Sequence, residues 1–179
     1  MIAPVLVKLV EQFAGSAASA AWDIGIFGLA WAVMQFAWSP LLGMLSDRVG
    51  RRPVVLISNF GTAVDYAIMA LAPNLAWLFI GRLISGGTTA SMSVASAYIA
   101  DVTEPEKRAA AFGVIGSAFG VGFVLGPAIG GLLANYDPRL AFWAAMAFSL
   151  LNFCYGFVVL PESLPPERRT ATLNWKRAN

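Results

Sequence analysis

The spacing of charge constrains this chain before anything else does. Five stretches, 24–45, 54–72, 75–100, 109–134 and 140–160, are almost free of it. Asp65 is the one charge in the second stretch, Arg82 is the one in the third, and the other three hold none. A helix needs about 20 mostly apolar residues to cross a bilayer's hydrocarbon core, so each stretch is long enough to span. A sixth apolar piece, 2–10, is too short and reads as the end of a helix whose start is missing. The expected fold is an all-α transmembrane bundle over residues 1–160, with five full spans and the stub of a first. Residues 161–179 turn polar and Pro-rich and read as the start of a loop.

Composition agrees. Only 12% of the residues are charged and mean hydropathy is +0.69, whereas a soluble domain carries about a quarter charged residues. The lipid bilayer is the natural solvent. No basic patch with interleaved aromatics appears, which argues against nucleic acid as a partner. The chain has no histidine, the commonest general base and metal ligand, so no metal site is expected. The lone Cys154 can form no disulfide within the chain. No nucleophile–base pair or phosphate loop is visible, so an enzyme is not expected. The glycine-rich 116–131 lacks the Gly-Lys-Ser/Thr that a phosphate loop requires. Residues 2–10 lack the basic start and small-residue cleavage site of a signal peptide.

Orientation follows from lysine and arginine. Arg48, Arg51, Arg52, Lys107, Arg108, Arg168, Arg169, Lys176 and Arg177 fall on one side of the alternating helices, and only Lys8 and Arg139 on the other. Nine against two puts the first group, and with it the C-terminal tail, in the cytoplasm. Asp65 lies 11 residues past Val54, about 16 Å deep at 1.5 Å per residue. A carboxylate near the midplane is costly unless it is paired, hydrated or protonated, and a group that must switch charge suits a proton carrier. A structural hydrogen bond is the other reading. Arg82 is equally costly and is expected to face the bundle interior, with snorkelling as the alternative. Asp23 sits where the second helix is expected to begin and reads as its N-terminal cap.

Small residues recur at helical spacing. Ser85, Thr89, Ser93 and Ala97 do so in the fourth span, and Gly116/Gly120 and Gly122/Gly126/Gly130 in the fifth. Such rows let helix backbones approach in lipid. Gly43 permits a close helix approach, and Asp47 ends a helix where it can face another helix's positive terminus. Arg51, four residues on, can reach an acidic partner. Pro127 removes a helix hydrogen bond and bends the helix.

Three motifs carry a resemblance. Gly43-Met44-Leu45-Ser46-Asp47-Arg48-Val49-Gly50-Arg51-Arg52 resembles the major facilitator superfamily signature G-x-L-x-D-R-x-G-R-R/K. Leu78, Arg82 and Gly86-Gly87 resemble its L-x-x-x-R-x-x-x-G element. Gly116, Gly120, Gly126-Pro127 and Gly130-Gly131 resemble the fifth-helix motif of the superfamily's antiporters. Asp65-Tyr66-Ala67, Gly81-Arg82-Leu83, Ala97–Asp101 and Leu160-Pro161-Glu162-Ser163 are similar to stretches of tetracycline/proton antiporters, and the similarity runs from about Ile2 to Leu164.

The resemblance implies the N-terminal six-helix bundle of a twelve-helix transporter in the inner cell membrane. It implies a drug/proton antiporter with no cofactor beyond the proton gradient, whose partners are protons, a small drug-like molecule, the bilayer and a C-terminal half. Carried over by position, Asp47, Arg51 and Asp101 would form the cytoplasmic charge network, within a conformational motif that also includes Gly43, Arg48, Gly50 and Arg52. Asp65 would be the essential third-helix acid, Arg82 the fourth-helix arginine, and Gln35 a polar residue near the substrate. Residues 161–179 would open the cytoplasmic central loop. Two departures stand out: the chain matches one half only, and the acid of the family's first helix has no counterpart. An inactive membrane fragment, or an exporter of another small molecule such as a multidrug or sugar exporter, is the alternative.

Overall fold

The computed structural model describes residues 3–169. Lys176, Arg177 and Asn179, on which part of the orientation argument rests, lie outside the described residues. Seven α-helices follow in order: α1 (Ala3–Ala14), α2 (Ala17–Val49), α3 (Arg51–Leu71), α4 (Leu75–Thr89), α5 (Met92–Val102), α6 (Arg108–Ala134) and α7 (Pro138–Val159). No strand occurs among the described residues. Four of these helices are long and apolar enough to cross a membrane. The broken pair α4–α5 runs the length of the bundle, because Asn74 caps its start at one end and Asp101 meets the α2–α3 junction at the other.

Two expectations about local structure are corrected. Asp23 is not a cap. The helix begins six residues earlier, at Ala17, behind the extended Ser16, whose hydroxyl accepts from Ser19 N–H at 3.2 Å. The run Ala17-Ala18-Ser19-Ala20-Ala21 is mostly alanine, the residue that costs least in a helix, and α2 extends through Asp23 for 33 residues. The fourth span is not continuous either. It breaks at Ala90-Ser91, where hydroxyls turn back on the ladder: Ser91 Oγ donates to Thr88 O at 2.8 Å and Ser93 Oγ to Ala90 O at 3.0 Å. Such back-bonding bends helices. It also breaks the register of the Ser85, Thr89, Ser93, Ala97 row.

Close helix contact comes instead from single glycines. A Cβ on Gly86 would sit 2.6 Å from Trp31 O and 2.7 Å from Met34 Cβ, so α4 lies directly on α2 there. Gly43 has nothing within 4 Å of where its Cβ would be among the described residues. Gly116, Gly120, Gly122 and Gly131 of α6 are likewise open, while Gly126 and Gly130 are buried. Pro127 sits inside α6 without interrupting it.

The core is built around α1. Val5, Leu9 and Val10 are buried against Phe27, Met69, Leu78 and Phe142, four residues from four other helices. Phe27 and Phe79 stack at 5.6 Å between centroids. Elsewhere large apolar side chains stand outward, Phe36 and Phe123 among them, each more than 80% exposed. Water would not tolerate so extensive an apolar surface, and hydrocarbon or further protein would.

Candidate functional site

Two polar clusters occur, one inside the bundle and one at the end where the basic residues gather. The inner cluster stands on α3 and α4. Asp65 and Met69, one turn apart on α3, both point at α4 and are 0% exposed. They meet it at Gly81: a Cβ there would fall 2.8 Å from Met69 Cγ and 3.0 Å from Asp65 Oδ1. The next residue, Arg82, turns into the bundle rather than out along the lipid, and its Nη2 donates to Met69 Sδ at 3.4 Å. Snorkelling is therefore not what Arg82 does.

Among the described residues, neither carboxylate oxygen of Asp65 has a hydrogen-bond partner, nor does Arg82 Nε. Arg82 and Asp65 form no ion pair within 4.0 Å among the described residues. Buried polar groups are almost always satisfied, and a buried charge without a partner is costlier still.

Arg82 also borders a cavity of about 360 Å3 between α1, α2, α3 and α4. Phe27 and Trp31 of α2, Tyr66 of α3 and Ser85 and Thr89 of α4 line it with Arg82, which is the charged residue of the lining. Asp65 is behind that wall. Gln35 is not part of the lining; its backbone N–H lies against Gly86 instead.

The outer cluster centres on Arg51, the first residue of α3. Its Nη1 pairs with Asp47 at 3.1 Å across one turn of chain and reaches Ser46 Oγ at 3.3 Å, and its Nε pairs with Asp101 of α5. The Arg51 side chain is 13% exposed, against 46% for Asp47 and 30% for Asp101. Gly50, at φ +111°, makes the sharp turn that brings Asp47 and Arg51 together. Arg52 leaves this group: its Nη2 donates to Phe157 O at 2.7 Å and its guanidinium lies 5.7 Å over the Phe157 ring. Arg48 is exposed, with no ion pair among the described residues.

Sequence reasoning did not single out Glu162. Its Oε1 accepts N–H groups from Arg51 at 2.9 Å, Arg52 at 3.5 Å and Leu164 at 3.1 Å. Leu160-Pro161-Glu162-Ser163 carries a family resemblance, but a carboxylate's partners 111 residues away leave no local signal. Metal-ligating clusters are absent among the described residues.

Comparison with known proteins fits this architecture. The Major Facilitator Superfamily sequence profile matches residues 1–177. The class C tetracycline resistance protein of Escherichia coli is 44% identical over 173 residues, covering 97% of this chain and 43% of that protein. The class D protein of Salmonella ordonez is 41% identical over 171 residues, with 96% and 43% covered. The crystal structure of the human organic anion transporter MFSD10 (TETRAN) superimposes with a TM-score of 0.79 at 34% identity, covering 96% of this chain and 41% of that one. The chain spans less than half the length of these relatives and corresponds to their N-terminal half. With the profile match running almost end to end, this chain belongs to the Major Facilitator Superfamily.

Proposed function

We propose that this chain is the N-terminal half of a proton-driven drug exporter of the tetracycline-efflux type. The observation that carries the reading is Asp65, fully buried with both carboxylate oxygens unpartnered, beside an arginine that borders a cavity. A group in that position can hold a proton in one state and release it in another. Inward proton movement through Asp65 would drive outward drug movement, as the antiporter-like motif on α6 implies. The aromatic wall of Phe27 and Trp31 suits a drug-like molecule. Substrate sites in this superfamily lie between the two halves near the midplane, so the cavity of this chain would be half of one.

The end carrying Asp47, Arg51 and Asp101 would be cytoplasmic in an inner cell membrane, and the Arg51 network would latch that side in one state of alternating access. The tetracycline resistance proteins among the relatives support the drug reading. Export of another small molecule is the second reading. Arg82 as the cavity's charged lining residue favours it, and so does the likeness to an organic anion transporter.

The test replaces Asp65 in the full-length transporter. Asp65→Asn keeps size and polarity but cannot titrate. Near-complete loss of tetracycline uptake into inverted vesicles under an imposed pH gradient is expected, with normal membrane levels. Asp65→Glu should keep part of the activity. Uptake by the Asn variant equal to the parent's would remove Asp65 from the coupling path.

A further inference from the structure

Three helices carry side-chain caps of their own: Ser16 for α2, Asn74 for α4 and Asp137 for α7. The N-cap of α3 is Gly50, which has no side chain to offer. The first N–H groups of a helix need acceptors, and its positive end favours an anion. For α3 the acceptor arrives from beyond α7, as the Glu162 carboxylate on the Arg51 and Arg52 N–H groups. The rest of that segment is tied to the same end of the bundle. Pro161 O accepts from Tyr98 Oη at 2.9 Å, Ser163 Oγ reaches Asp101 Oδ2 at 3.5 Å, and Arg169 Nη2 lies 3.8 Å from Glu162 Oε2. Two of these contacts fall on members of the Arg51 network itself: Glu162 holds the backbone of its base and Ser163 touches one of its acids.

We propose that Pro161–Leu164 is a strap that sets the geometry of the Arg51 network, with Glu162 as its positioning residue. By fixing the first turn of α3, Glu162 fixes where the Arg51 guanidinium sits between Asp47 and Asp101. The strap follows α7 directly, so any displacement of the chain after α7 reaches Arg51 without passing through a span. This inference rests on the reading that the Arg51 network governs transport.

The experiment uses the full-length transporter in proteoliposomes, with Glu162→Ala, Glu162→Gln, Asp47→Asn and Arg51→Ala. Hydrogen exchange in the 51–54 peptide is expected to quicken about tenfold in Glu162→Ala, the factor a lost cap gives. Exchange in the peptide carrying Asp65 should stay unchanged. Proton-driven tetracycline uptake should lose kcat several-fold at unchanged KM, with Glu162→Gln in between because an amide oxygen still accepts. If Glu162→Ala fails to reach the membrane, the Gln variant carries both readouts. Parental exchange rates, or faster exchange with parental uptake, would overturn the strap. Parental uptake by both Asp47→Asn and Arg51→Ala would instead remove the transport role of the network, a failure visible without any Glu162 variant.

Discussion

Glu162 shows how one carboxylate can be held by a helix start. Burial alone would raise its carboxyl, but N–H donors from Leu164, Arg51 and Arg52 and the charge of Arg169 outweigh burial and hold it below the ordinary 4.5. A folded-state value below the unfolded one means that the carboxylate adds stability above about pH 4.5 and loses it as pH falls through the folded value. The stability gap between parent and Glu162→Gln is therefore expected to stay level from about pH 7 to pH 5 and to shrink below about pH 4.5. Thermal unfolding of the solubilised full-length protein across that range measures it, and a gap that widens toward acid would refute the sign. Gly50 makes the same point from the other side. Its φ of +111° is one that side chains rarely adopt, and a Cβ would collide with the Glu162 carboxylate. Gly50→Ala should cost about 1–3 kcal/mol, read as a lowered Tm.

Among the helices, α4 rests directly on the backbone of α2 at one glycine. At Gly86 the added methyl of an alanine would press on Trp31 O, a backbone atom that cannot swing away. Overpacking of this kind costs about 1–3 kcal/mol. Gly86→Ala should therefore lower the Tm of the full-length protein, and an unchanged Tm would mean that α2 and α4 have room to separate. The sequence shows glycines at 86 and 87, yet gives no sign that Gly86 is the contact and Gly43 is not, because both answers depend on which helix lies opposite. What was legible in the residues had a local cause. Charges in apolar runs are expensive, so Asp65 and Arg82 identified themselves, and a four-residue spacing suggested that Asp47 and Arg51 could meet. The break at Ala90-Ser91 was hidden because serine and threonine look alike to a hydropathy average whether they face outward or turn back on their own carbonyls. The start of α2 was misplaced because Asp23 offered a plausible cap, and an alanine-rich run with no apolar period concealed the earlier one at Ser16.

Apart from the inner Asp65–Arg82 cluster, the polar contacts that tie helix ends together sort to two ends of the bundle. Arg51, Asp101, Arg52 and Glu162 meet at one. At the other, Arg139 Nη2 donates to Ala72 O at 3.1 Å, closing the last turn of α3 against the start of α7, while Asn74 caps α4 at the same end. Arg139 is one of the two basic residues on the sparse side, and its bond to a helix's terminal carbonyl gives it a structural reason to be there. One of the two exceptions to the charge bias is therefore a helix-end contact; Lys8 is the other. The connections between these ends are short, so reversing α2, α3, the α4–α5 pair or α7 alone would uncouple the Arg51 network or the Arg139 contact. Single cysteines at Asn74, Asp137 and Lys107 in an otherwise cysteine-free full-length transporter turn this into an all-or-none measurement. An impermeant thiol reagent added to intact cells should label the first two and spare the third, which should react only after the membrane is opened. Labelling at Lys107 in intact cells would place the basic end outside and invert the direction proposed for proton and drug together, whereas labelling at neither Asn74 nor Asp137 would mean that these turns are buried by the second half.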